Sequence, residues 1–272
     1  MAEERTYVMS IAGFDPSGGA GILADIKTFE ANKVCGMGAV SAITFQNDTE
    51  FDGLKWVETD EIVKQVLILK RKFDFTVIKI GLIKDLETLE NVISNCQHHI
   101  SLQHTNSRSP LHPTSSRTRG AFSDCQVIWD PIIKASAGFE FHENFESEKL
   151  FSVLKNIFLI TPNVDEIKFL TGIDDPMEAA RELSYYCNVL LKGGHNVVEP
   201  GVDYLFTNGK IEKISPTEKN VFPKHGSGCI LSSAIAANLA LGNDLISSCI
   251  NAKKYVEQIL SSSTTLLGVH HV

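Results

Sequence analysis

Nowhere does the sequence run apolar for the roughly 20 residues a membrane-spanning helix needs, which excludes such a helix. Positive charge is short as well: 25 Lys and Arg against 33 Asp and Glu leave a formal charge of −8. That balance argues against nucleic acid or an anionic membrane as main partner, and an anionic substrate then needs a local positive site. The six cysteines (35, 96, 125, 187, 229 and 249) include no CxxC pair and no metal-finger spacing, so neither a disulfide framework nor a zinc module is indicated. The opening MAEERTYVMSIAG lacks the basic start and long apolar stretch of a secretory leader. A cytoplasmic protein with reduced thiols is expected. GxxxxGK[ST] is missing too, which removes the standard P-loop.

What is present is the composition of an ordinary soluble protein, 43% hydrophobic and 21% charged over 272 residues. No repeat or composition break divides it, so one domain over 1–272 is expected. Strand-like runs at 7–12, 39–45, 76–80, 126–130, 157–163 and 188–193 alternate with helical patterns at 19–32, 60–73, 85–96, 146–155, 163–171 and 175–186. That alternation predicts an α/β fold, a largely parallel central sheet flanked by helices on both faces. A hairpin pairs 202–206 with 210–214 through Asn208-Gly209, and helices at 228–242 and 244–262 follow. One segment, 97–124, breaks the order: it is rich in Ser, Thr, His, Arg and Pro and reads as a mobile surface loop. Histidines 98, 99, 104 and 112 are irregularly spaced there without carboxylate or thiol company, which favours a solvated loop over a metal site.

Several βα junctions carry candidate chemistry. AGFDPSGGAGILADIKTF (12–29) puts a glycine-rich turn between a strand and a helix. Gly19–Ala24 matches the relaxed dinucleotide pattern GxGxxA, yet the acid expected after the second strand is replaced by Gln46 and Asn47. In TPNVDE, Asn163 and Glu166 fall one helical turn apart, suited either to hold the water shell of Mg²⁺ or to form a capping box. Lys192 in LKGGH and Asp130 in WDP also end strands, one able to neutralise phosphate and the other to organise a metal–phosphate region or start a turn. HGSGC opens a helix at Gly226, Ser227, Gly228 and Cys229, an anion site by its free N–H groups. The same environment is expected to lower the Cys229 thiol pKa and make it a base or nucleophile; the alternative is a small packing residue.

Taken in order, AGFDPSGGAGILADIKTF, FQND, IKIGL, WDPII, ITPNVDE, LKGGH, HGSGC and NAKKY resemble the hydroxymethylpyrimidine/phosphomethylpyrimidine kinases of thiamine biosynthesis, within the ribokinase-like superfamily. The resemblance runs from about residue 7 to 261. It implies a ribokinase-like fold, ATP and Mg²⁺, a small pyrimidine substrate and a homodimer. By that likeness Gly226, Ser227 and Gly228 form the anion hole, and Cys229 acts on the substrate hydroxyl as a base. Gly13, Asp15, Ala20, Gln46, Leu82 and Ile132 would line the pyrimidine pocket. Asn163, Glu166, Lys192, Gly194 and Lys253 would serve the nucleotide, with Asp130 and Glu166 at the metal, chiefly through water. Ser227 replaces the usual Thr, 97–124 is longer than the family's connection, and the ending TTLLGVHHV is expected to affect only the surface. A pyridoxal kinase of the same fold, a non-catalytic pyrimidine binder and an NAD-binding oxidoreductase are the competing readings.

Overall fold

A computed structural model describes residues 5–98, 125–135, 138–142, 145–194, 199–218 and 220–270. Its strands are β1 (Tyr7–Phe14), β2 (Cys35–Gln46), β3 (Phe51–Trp56), β4 (Val77–Ile80), β5 (Gln126–Trp129), β6 (Leu159–Ile160), β7 (Asn188–Leu191), β8 (Asp203–Thr207) and β9 (Lys210–Ile214). The helices among the described residues are α1 (Gly21–Ala31), α2 (Thr59–Lys70), α3 (Leu86–His98), α4 (Ser147–Leu154), α5 (Val164–Thr171), α6 (Pro176–Leu183), α7 (Ser227–Ala240) and α8 (Leu245–Ser261).

One nine-stranded sheet runs in the order β3-β2-β1-β4-β5-β6-β7-β8-β9. The six strands from β2 to β7 across its middle are mutually parallel, and β3, β8 and β9 pair antiparallel at the two edges. From β1 the chain crosses to β2 on one side, then returns to β4 on the other. The strand order therefore reverses between β1 and β4, and the crevice beyond their carboxyl ends is where such sheets bind ligands.

Alternate side chains of the central strands feed two cores. Met9, Ile11, Ile78, Ile80, Val127 and Trp129 pack beneath α2 to α6. Val8, Val77, Ile128, Leu159 and Leu190 pack beneath α1, α7 and α8. Helix α7 is buried continuously from Cys229 to Leu239, matching a sequence that is apolar or small all round. It lies between the sheet and the helices of its own layer, so its first turn is held rigidly at the sheet edge.

Three features differ from the sequence reading. Strand β3 was not anticipated, because Gly53 at φ +155° interrupts the alternation of FDGLKW. It forms since Asn47 Oδ1 accepts the N–H groups of Thr49 and Glu50 and turns the chain back onto β2. Strand β6 spans two residues where 157–163 was expected, as Pro162 follows one residue beyond Thr161. Helix α3 continues to His98, so the polar segment expected from 97 starts later; 99–124, with histidines 99, 104 and 112, lies outside the described residues. The edge hairpin is as read: Asn208 at φ +51° and Gly209 at φ +72° make the primed turn that Asn-Gly favours. No described helix is long and apolar enough to cross a membrane.

Candidate active site

The turn after β1 is organised by a buried carboxylate. Asp15 Oδ1 accepts from the Ser17 backbone N–H at 2.9 Å and from Ser17 Oγ at 2.8 Å. Its Oδ2 accepts from the Ala20 N–H at 2.8 Å and lies 2.9 Å from His225 Nε2. Burial alone would raise this carboxyl, but the hydrogen bonds from His225, Ser17 and Ala20 outweigh it and hold it below the usual carboxylate range. Asp15 therefore faces inward and shapes the turn.

His225 leads directly into the second turn. Gly226 adopts φ +77°, and a Cβ built there would stand 2.1 Å from Gly19 O and 2.7 Å from Ala20 Cα. Only glycine permits that approach. The starts of α1 and α7 are thereby pressed together, and neither N-cap residue, Ala20 or Gly226, caps its helix with a side chain. At α5, α6 and α8, by contrast, Asn163, Asp175 and Asp244 fill that role. Two helix starts that no N-cap side chain closes, set at one point, suit an anion.

Positive charge arrives from the neighbouring strand ends. Asn163 and Lys192 form a parallel bridge that extends β6 and β7 past the sheet edge. Lys192 Nζ lies 2.8 Å from Asp130 Oδ1 and 3.4 Å from Glu166 Oε2. A Cβ at Gly228 would come 3.2 Å from the same ammonium, so Lys192 stands against the first turn of α7. Asp130 also accepts from Thr161 Oγ1 at 3.0 Å and from Ser232 Oγ at 3.2 Å. Burial opposes its ionisation, yet Lys192, then Lys79, hold it below the ordinary value. Glu166 shows the opposite balance. Burial pushes it up, Lys192 pulls it down, Asp130 pushes it up again, and the net is about 7.

The Asn163–Glu166 pair is a capping box, Asn163 Oδ1 taking the Glu166 N–H at 2.8 Å and Glu166 Oε2 the Asn163 N–H at 2.7 Å. Capping and charge are thus two uses of one motif. No group of three or more His, Cys, Asp or Glu suited to a metal occurs among the described residues. Asp130, expected at the metal, has both oxygens engaged by Lys192, Thr161 and Ser232. Glu166 fits a magnesium hydration shell better, because its hydrogen bonds and ion pair all use Oε2.

Cys229 corrects one expectation. The thiol is not lowered: burial pushes it up to about 11, Lys79 pulling it down while Asp130 and Asp25 push it further up. The helix start of the facing α1 does act, its Gly21 N–H favouring the thiolate, but this is the smallest of these influences on the thiol. On the other side of the crevice a Cβ at Gly13 would meet Leu82 Cδ2 at 3.2 Å, and one at Gly81 would meet Ile132 Cδ1 at 3.7 Å. Leu82 thus lies against Gly13, and Ile132 against Gly81, the residue before Leu82 in the chain. Half-buried Gln46 ends β2 in step with Thr44, whose hydroxyl donates to Phe14 O at 2.9 Å. Gly194 borders open space, and His195 lies outside the described residues. Lys253 does not join Lys192. Its ammonium is taken by Asp203 Oδ2 at 2.7 Å and Gly201 O at 2.5 Å, while Asp203 Oδ1 accepts the Gly193 N–H at 2.8 Å. It braces the glycine loop from behind.

The family model for phosphomethylpyrimidine kinase matches residues 15–105 and 117–272. The chain belongs to that family. It is 30% identical over 277 residues to the hydroxymethylpyrimidine/phosphomethylpyrimidine kinase of Rhizobium meliloti (strain 1021), covering 97% of this chain and 96% of that protein. The crystal structure of phosphomethylpyrimidine kinase from Clostridium difficile 630 superposes with a TM-score of 0.69 at 27% identity, over 93% of this chain and 98% of that one. The pyridoxal kinase from Staphylococcus aureus in complex with pyridoxal gives a TM-score of 0.76 at 22% identity, over 95% and 89% of the two chains. That last likeness shows the shared ribokinase-like fold.

For a kinase of this family, two parts of the site escaped the sequence reading. His225 was quoted within HGSGC without a role; its place directly before the anion turn was the available signal. The final segment, expected to affect only the surface, instead supports the site. Leu266 O accepts the His225 N–H at 2.9 Å, a Cβ at Gly19 would meet Leu267 Cδ2 at 2.8 Å, and Lys224 Nζ donates to Thr265 O at 2.8 Å.

Proposed function

We propose that this kinase transfers the terminal phosphoryl group of ATP to the hydroxyl of 4-amino-5-hydroxymethyl-2-methylpyrimidine, and then a second one to the monophosphate to give the pyrophosphate. The observation that carries the reading is the junction of two uncapped helix starts, Gly226 against Gly19 and Ala20, with Lys192 beside Gly228. Phosphoryl transfer requires positioning and charge stabilisation more than covalent chemistry, and this junction supplies both.

In this reading the pyrimidine lies in the crevice between β1 and β4, against Gly13, Leu82 and Ile132, with the Gln46 amide reading its amino edge. Asp15 and Ala20 shape that wall from the turn. The transferred phosphoryl group lies on the N–H groups of Gly226, Ser227 and Gly228, and Lys192 neutralises its charge. Cys229 accepts the proton of the hydroxyl. Asn163, Lys192 and Gly194 border the nucleotide phosphates. Magnesium, when bound, shields phosphate charge, and Glu166 would hold it through water.

ADP release in Mg-ATP tests the proposal, with the hydroxymethylpyrimidine, its monophosphate and pyridoxal offered separately. Turnover of both pyrimidines supports it. Turnover of pyridoxal alone reassigns the substrate, and pyrimidine binding without turnover makes the chain a binder.

A further inference from the structure

Beneath the junction of the two turns lies a charged pair that packing does not explain. Lys79, third residue of β4, and Asp25 of α1 are both fully buried. Lys79 Nζ stands 3.0 and 2.8 Å from the two oxygens of Asp25. Asp25 also accepts from Ser10 Oγ at 2.5 Å and from Ser233 Oγ at 2.7 Å. One carboxylate thus gathers β1, β4, α1 and α7, the four elements that end or begin at the site. A buried ion pair is seldom more stabilising than apolar residues of similar volume. On this face of the sheet Val77, Ile128, Leu159 and Leu190 are apolar.

The pair is registered to Cys229 by helix geometry. Gly21 and Asp25 are one turn apart on α1, and Cys229 and Ser233 are one turn apart on α7. The lower rung between the helices is the Ser233–Asp25 hydrogen bond; one turn above it Gly21 and Cys229 stand on the same two helices, and the Gly21 N–H favours the thiolate. Lys79 enters the lower rung from the sheet. Its ammonium extends toward the carboxyl edge, since a Cβ at Gly81 would stand 3.0 Å from Nζ. An ammonium has three donors, and its described hydrogen bonds all go to Asp25.

We propose that Lys79 is a positioning residue acting through Cys229: pinned by Asp25, its ammonium is a fixed positive charge one helical turn below the thiol, where it favours the thiolate that takes the substrate's proton. The inference rests on the kinase reading above. In the step it serves, a bond forms between the substrate oxygen and the γ-phosphorus as the bond from that phosphorus to the leaving ADP oxygen breaks. The hydroxyl proton passes to Sγ and later to solvent. The groups facing the thiol come from every neighbouring element. Lys79 of β4, Lys192 beyond β7 and the Gly21 N–H favour the thiolate, while Asp25 of α1 and Asp130 beyond β5 oppose it.

The test compares wild type with Lys79→Met and with the double variant Lys79→Met/Asp25→Leu, which leaves no unpaired buried charge. Alkylation of Cys229 by iodoacetamide is followed across pH without substrate, resolved by mass spectrometry of its peptide. kcat and KM for the pyrimidine are measured alongside. The midpoint of Cys229 alkylation should rise by about one pH unit or more, and kcat at neutral pH should fall about tenfold with KM unchanged. A folded double variant with the wild-type alkylation profile overturns the proposal. So does loss of the fold in both variants, which would make the pair structural. The thiol profile needs no turnover, so failure of the kinase reading shows separately, as wild type that releases no ADP.

Discussion

Asp15 and His225, 210 residues apart in sequence, meet at 2.9 Å and fasten the turn after β1 to the turn before α7. Each turn alone is a glycine-rich loop. Joined, they bring two helix starts to one point at the switch in strand order, where the proposed function seats the phosphoryl group.

Breaking the join should cost stability as well as activity. Asp15→Asn and His225→Asn should each lower stability by about 1–3 kcal/mol, read by thermal or urea unfolding, since each leaves a buried polar group short of its partner. Asp15 is held below its ordinary value of 3.8, so its contribution is present above that pH and is lost as pH falls through the folded value. The gap in Tm between wild type and Asp15→Asn should therefore narrow on acidification below about pH 4.

Gly226→Ala tests the contact itself. The added methyl would meet Gly19 O at 2.1 Å in a backbone at φ +77°. The turns must separate, and a loss of about 2 kcal/mol or more is expected together with a steep fall in kcat.

Glu166 should give a pH signature of opposite sign to Asp15. Its folded value of about 7 lies above the ordinary 4.5, so the stability it contributes is present below 4.5 and is lost as pH rises through about 7. Glu166→Gln should flatten the decline of Tm over that interval. It should also raise the magnesium concentration for half-maximal activity, by roughly tenfold if the carboxylate holds the hydrated ion. An unchanged magnesium requirement would remove Glu166 from that role.

Cys229, with its thiol near 11, should give a rate that climbs with pH through the alkaline range as thiolate accumulates. The Cys229→Ala profile should be flat there and lower by about 100-fold or more. A parallel climb in both would assign the limb to another group.

Much of this arrangement was legible in the residues. The alternation of short apolar runs with helical periods placed the parallel strands, and the ends of β1, β5, β6 and β7 fell on one edge because parallel topology requires it. Asn208-Gly209 announced its own turn. Burial was harder to read. Cys229 sits at a helix start, which normally lowers a thiol, yet α7 enters the core at once and desolvation prevails. Asp15 and Lys253 looked available to ligands and proved committed to His225 and Asp203, partners 210 and 50 residues away that no local pattern reveals. Strand β3 was hidden by Gly53, which lies inside it and breaks the period of two.

The most direct measurement of the central claim is ³¹P NMR of the products formed from Mg-ATP and the hydroxymethylpyrimidine by wild type and Cys229→Ala. Wild type should yield first a phosphomonoester and then a pyrophosphate resonance, while the variant binds the pyrimidine and forms neither at a comparable rate. Product formation by Cys229→Ala at the wild-type rate would contradict the account.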